Sequence, residues 1–140
     1  MPPLKGIDRA IDGDLLRALE MSGHGDRIAI VDPSYAIPEG ANVFNYHGDS
    51  SAEALTGILS LINSEDVLLM RPDVGDGNHN AQEAFLESAE AQGVKTVSYT
   101  KGSFYDRVND PEKRARTLYV RTRDEKACAC ATFIIGHSQE

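Results

Sequence analysis

Apolar and polar positions along the chain switch repeatedly between a helical and an extended period. Leu15, Leu16 and Leu19 form a stripe that predicts a helix over Gly13–Ser22. Asp12 suits its N-cap, Asp14 its first turn and Gly23 its end. The run Arg27–Val31 is short and β-branched, bounded by Asp26 and by Asp32-Pro33-Ser34, and reads as a buried strand. Asn42–Tyr46 reads as a weaker one. Ser50 and Glu53 have capping-box spacing ahead of Leu55, Ile58, Leu59 and Ile62, which recur at helical period. Asp66–Met70 follows as a strand and Arg71–Asn78 as a polar loop. Ala81–Gln92 is a helix stopped by Gly93, and Val94–Tyr99 is a strand. Ser103 would cap a short helix, Ser103–Val108, that ends before Asp110-Pro111. Arg116–Thr122 and Ala127–Ile135 read as two strands joined across Arg123–Lys126. This order predicts an α/β fold: one domain over residues 1–140, a central sheet covered by helices, and an antiparallel C-terminal hairpin.

Composition narrows the function classes. With 14 Lys plus Arg against 22 Asp plus Glu, the net charge is −8, which argues against a dedicated nucleic-acid binder and an anionic membrane surface. The longest uncharged apolar runs, such as Val67–Met70, fall far short of the ~20 residues of a membrane span. The N-terminus has no signal-peptide organisation. Cys128 and Cys130 make no disulfide framework. The cytoplasm is therefore the expected location.

Phosphate-loop, dinucleotide, zincin and nucleophile-elbow motifs are all absent. Asp76, Asn78, Asn80 and Glu87 match calcium-loop spacing, but the required glycine is Ala81 and the segment runs into a helix, so a solvated loop is expected instead. His24, His47, His79 and His137 show no metal-ligand spacing. His24 stands out in Ser22-Gly23-His24-Gly25-Asp26, where two glycines let the backbone turn and a ligand approach. Asp26 follows closely and Asp32 closes the next strand. Imidazole titrates near neutrality, so a histidine at a sheet end is a candidate proton shuttle.

These residues carry a resemblance. Leu4-Lys5-Gly6-Ile7, then Asp14–Leu19, then Gly23-His24-Gly25-Asp26-Arg27-Ile28 through Asp32 resembles the N-terminus of the D-ribose pyranase and L-fucose mutarotase (RbsD/FucU) family. That family shows L-K-G-I, E-L-L-x-x-L and M-G-H-G-D-E-I-x-x-x-D. Phe104-Tyr105-Asp106-Arg107 resembles the F-Y-E-R of the fucose mutarotase branch, and Arg121-Thr122-Arg123-Asp124 its R-T-G-E. The resemblance implies a cofactor-free sugar isomerase that interconverts cyclic forms of a free monosaccharide. It also implies a homo-oligomer, pentamer or decamer, with sites between neighbouring subunits. The family's catalytic histidine falls on His24 and its ligand-binding aspartate on Asp32, with Asp26 and Arg107 in support. Its substrate-contacting Arg falls on Lys101, and its closing Y-x-N on Cys128-Ala129-Cys130. An insertion lies near Asn109–Lys113. Two other readings accompany this one: a non-catalytic sugar-binding or regulatory relative, and a thiol or soft-metal site built on Cys128 and Cys130. Strand alternation would put the two cysteines on one face, as thiols rather than a strained disulfide, with Ala127, Ala129 and Ala131 on the other.

Overall fold

A computed structural model describes residues 7–71, 82–110, 116–126 and 128–136. Four helices and six strands lie among them, in the order α1 (Gly13–Met21), β1 (Arg27–Val31), β2 (Asn42–Asn45), α2 (Ser51–Leu59), β3 (Val67–Met70), α3 (Gln82–Ala91), β4 (Thr96–Tyr99), α4 (Lys101–Val108), β5 (Thr117–Arg121) and β6 (Ala131–Ile134). The strands form one sheet in the order β2-β5-β1-β6-β3-β4. β6 runs antiparallel to both its neighbours, β1 and β3; every other pairing is parallel.

The helix boundaries follow from local chemistry. The Asp12 carboxylate accepts from Leu15 N at 2.9 Å, satisfying one orphan amide of α1. Ser50 Oγ accepts from Glu53 N at 3.2 Å and caps α2. Past α3, Gly93 takes φ +70, and Val94 N reaches back to Ala89 O at 2.9 Å, the left-handed turn that glycine makes without strain. α4 differs from expectation. Its cap is Thr100, not Ser103, because Thr100 Oγ1 accepts from Ser103 N and the helix starts at Lys101.

The expected C-terminal hairpin does not form. β6 keeps its antiparallel direction, but β1 lies between it and β5. All five residues of β1 are buried, so both its edges and both its faces need partners. β5 takes one edge, with Ile28 opposite Leu118, and β6 the other, with Ile28 opposite Phe133. The β5–β6 connection crosses the carboxyl end of β1 and is tied to it. Thr122 N donates to Val31 O at 2.9 Å, and Ala129 N donates to the Asp32 carboxylate at 3.2 Å.

Period-two alternation divides the core. Ile28, Ile30, Leu69, Val120 and Phe133 pack with Leu15 and Leu19 of α1, Leu55 and Ile58 of α2, and Phe85 of α3. Ala29, Val31, Met70 and Tyr119 pack with Phe104 and Val108 of α4 and with Tyr35. Asn42, Val43 and Asn45 of β2 are exposed, as befits an edge strand.

Candidate functional site

The parallel strands bring two clusters to opposite ends of the sheet. Asp32 sits just past β1 at the carboxyl end and is only 6 % exposed. Its Oδ1 accepts from Ser34 N at 3.1 Å and from Ser34 Oγ at 2.8 Å; its Oδ2 accepts from Ala129 N. Three donors fix the carboxylate in place. Cys130 lies against it. Burial first, then the negative charge of Asp32, pushes the Cys130 thiol well above its usual range.

Cys128 and Cys130 precede β6 rather than belonging to it. The face assignment nevertheless holds for the described residues: Ala129 and Ala131 pack in the core of α1, α2 and α3, while both cysteines pack on the α4 side. Cys128 has φ +56, a left-handed conformation that turns the chain into β6. Both cysteines are buried, and neither is disulfide-bonded.

Lys101 starts α4 at this same end, and its charge acts on Tyr105. The Tyr105 ring stacks on Tyr35 at 4.4 Å and 14°, and its hydroxyl accepts from Ala36 N at 3.4 Å. Burial raises the Tyr105 pKa, so its hydroxyl stays protonated and can also donate. Asp32, Lys101 and Cys130 all act electrostatically on Tyr105, which places the four at one end of the sheet. In the sequence, Tyr105 stands out only within Phe104-Tyr105-Asp106-Arg107. Its signal was its place one turn after Lys101 on the same helix face.

A second buried carboxylate, Asp124, lies on the β5–β6 connection against the start of α2. It accepts from Ser51 N at 2.9 Å at the first turn of α2 and from Lys126 N at 2.9 Å. Thr122 Oγ1 and Ser51 Oγ share a hydrogen bond of 2.7 Å. These bonds anchor the β5–β6 connection to α2, a structural task that uses the positive end of the helix.

His24 lies at the other end, on an exposed turn before β1. Gly25 takes φ +90 there and donates from its N to Ile135 O at 3.0 Å. The Asp26 carboxylate accepts from Gly23 N at 2.9 Å and from Arg116 Nε at 2.8 Å. Arg116 Nη2 also donates to the His24 carbonyl at 3.1 Å. Asp26 therefore holds the turn. Arg116 shares that work and carried no signal in the sequence, because its partner is ninety residues away. Arg107, near the end of α4, stacks over Tyr99 with Cζ 4.3 Å from the ring centroid. It lines a cleft with Arg27, Leu68, Tyr99 and Ile134 that includes neither Asp32 nor Lys101.

Five residues of β1, about 16 Å of strand, separate His24 from Asp32. One chain does not bring them together. Asp76, Asn78, Asn80, His79, His137, Ala127 and the segment 111–113 lie outside the described residues.

A mostly parallel sheet covered by helices places the chain among α/β proteins, a class in which ligand crevices form at strand ends. The sequence matches the RbsD / FucU transport protein family over residues 5–137, and the chain belongs to that family. Its fold is similar to the fucose mutarotase of Streptococcus pneumoniae solved with L-fucose, at TM-score 0.79 and 23% identity, covering 97% of this chain and 100% of that one. It is also similar to FucU from Bifidobacterium longum, at TM-score 0.74 and 23% identity over 96% of this chain and 100% of that one. Bacillus subtilis RbsD complexed with D-ribose matches at TM-score 0.72 and 18% identity, over 98% of this chain and 100% of that one. Among curated proteins, none matches the sequence.

Proposed function

We propose that this protein interconverts cyclic forms of a free monosaccharide by acid–base chemistry, without a cofactor, at a site completed by a second copy of the chain. The observation that carries this reading is the placement of His24 and Asp32 at opposite ends of one strand. Each fits half of a sugar site: an exposed imidazole on a glycine turn, and a buried, triply held carboxylate. A head-to-tail neighbour brings the His24 of one copy to the Asp32 of the next, which suits a ring assembly. Family membership and the fold shared with sugar-complexed proteins support a monosaccharide as ligand.

The chemistry is modest. Opening a cyclic hemiacetal places a proton on the ring oxygen and removes one from the anomeric hydroxyl; re-closure reverses both transfers. The imidazole of His24 carries a proton in each direction. Asp32 accepts from a sugar hydroxyl, and Lys101 and Tyr105 donate to others. Cys128 and Cys130 close the pocket with small, weakly polar groups. A pocket lined in this way favours a less polar sugar face, such as that of a deoxy sugar.

Burial of the cysteines also favours the second reading, a relative that binds sugar without turning it over, since thiols replace stronger hydrogen-bonding groups. The raised Cys130 pKa disfavours a soft-metal site, which needs thiolates. NMR exchange spectroscopy on a panel of free monosaccharides, with light scattering on the same sample, separates the readings. Accelerated anomer or ring-form exchange by an oligomer, abolished in His24→Ala with the fold retained, is expected. Saturation transfer to a sugar without faster exchange gives the binding-only reading. A monomer at micromolar concentration that accelerates exchange defeats the shared site.

A further inference from the structure

We propose that Arg27 and Arg107 form a binding site for the oxyanion of a small molecule, a carboxylate or a phosphate, in the cleft on the α4 face of the sheet. Arg27 opens β1, and alternation puts its side chain on the same face as Ala29 and Val31, which pack towards α4. It is only 8% exposed, and among the described residues its Nε and Nη1 meet no acceptor. A buried guanidinium with unmet donors is costly to keep and points to an acceptor that arrives from outside.

Arg107 faces the same cleft from the last turn of α4. Stacking on Tyr99 holds its guanidinium plane, which leaves its N–H edge for a ligand. The two cations are near enough that Arg107 is the main charge disfavouring the charged form of Arg27, second only to burial. Asp110 and the rings of Tyr35 and Tyr119 act in the opposite sense, through space. Two guanidinium groups on one cleft repel one another, and an oxyanion between them offsets that repulsion and accepts from both.

The cleft has a volume of about 430 Å³, room for a small molecule. Leu68, Ile134 and the Tyr99 ring give it an apolar wall, against which the body of the ligand can lie. Glu65 and Asp66 stand exposed on its rim, paired with neither arginine among the described residues. They restrict the site to a single oxyanion and accept from hydroxyl groups elsewhere on the ligand. This site stands independently of the sugar reading, because none of its residues serves the Asp32 pocket.

The test is calorimetric titration of the full chain with sodium phosphate and, separately, sodium acetate, at ionic strength held constant with sodium chloride. Saturable binding of one of them is expected, weakened at least tenfold in Arg27→Met and in Arg107→Met. Tighter phosphate indicates a phosphorylated ligand, and tighter acetate a carboxylated one. No saturable binding of either anion, or binding unchanged in both variants, overturns the proposal. So does an Arg27→Met variant that binds anion normally but loses its oligomeric state, which would make a neighbouring copy the missing acceptor. Should Arg27→Met fail to fold, Arg107→Met carries the test, because Arg107 lies exposed near a helix end.

Discussion

Arg116 clasps Asp26 through its Nε at 2.8 Å and, with Nη2, the backbone carbonyl of His24 at 3.1 Å. One side chain from just before β5 thus sets the shape of the turn that presents His24. A Cβ at Gly25 would come within 3.1 Å of that same Nη2, on a backbone already at φ +90. The turn is tuned by contact as well as by conformational freedom.

Arg116→Met is therefore expected to separate activity from stability. The ion pair is largely exposed on the arginine side, at 62%, so its loss costs less than about 1 kcal/mol in urea unfolding. Exchange on the best sugar should nevertheless fall by about tenfold or more, because a misplaced imidazole loses the alignment that proton transfer requires. Unchanged exchange would mean that the turn needs no clasp.

Asp32→Asn should cost stability. Two backbone amides and one hydroxyl donate to this carboxylate, and an amide in its place turns an NH2 group towards at least one of them. The expected loss is about 1–3 kcal/mol by denaturant midpoint, with the β5–β6 connection loosened. Amide exchange at Ala129 should quicken in the variant. Protection equal to that of the wild type would show that the bond to Asp32 carries no load.

Asp12 supplies a pH dependence. Its carboxyl is held below the usual range, first by the Leu15 amide it caps and then by His47, whose Nε2 lies 2.7 Å from Oδ2. A depressed folded-state pKa contributes stability above the unfolded value of about 3.9, and that contribution is lost as pH falls through the lower folded value. Asp12→Asn keeps a capping oxygen but does not titrate. The wild type should exceed the variant in urea midpoint at pH 6, and the gap should close towards pH 3. A gap independent of pH would remove the charge from the explanation.

The thiols should react slowly in the native protein. Cys128 is 5% exposed and Cys130 1%, and Cys130 is also kept protonated by burial beside Asp32. Alkylation at pH 8 should modify Cys128 before Cys130, both far more slowly than in urea, and a bound sugar should slow Cys128 further. Rapid modification of both sites without denaturant would show that the connection opens readily.

Much of this architecture is written locally. The apolar run of β1, the Asp12 cap, the Ser50 cap and the glycine stop after α3 depend on neighbours within a few residues, so period and capping chemistry disclose them. The turn that carries His24 was legible for the same reason, because its two flanking glycines announce it. The family resemblance added Asp32, Lys101 and the cysteines.

Contacts between distant segments decided the rest. Nothing local says that β6 pairs with β1 and β3 rather than with β5, since a strand's edge hydrogen bonds are indifferent to which strand arrives. The buried demand of β1 on both edges settles that choice, and with it the crossing that brings Ala129 to Asp32. Arg27 reads as an ordinary strand-opening cation until α4 packs across the sheet and buries it beside Arg107. The separation of His24 from Asp32 is likewise tertiary in meaning. Sequence places them eight positions apart, but only an extended, buried β1 turns that spacing into two ends of a molecule.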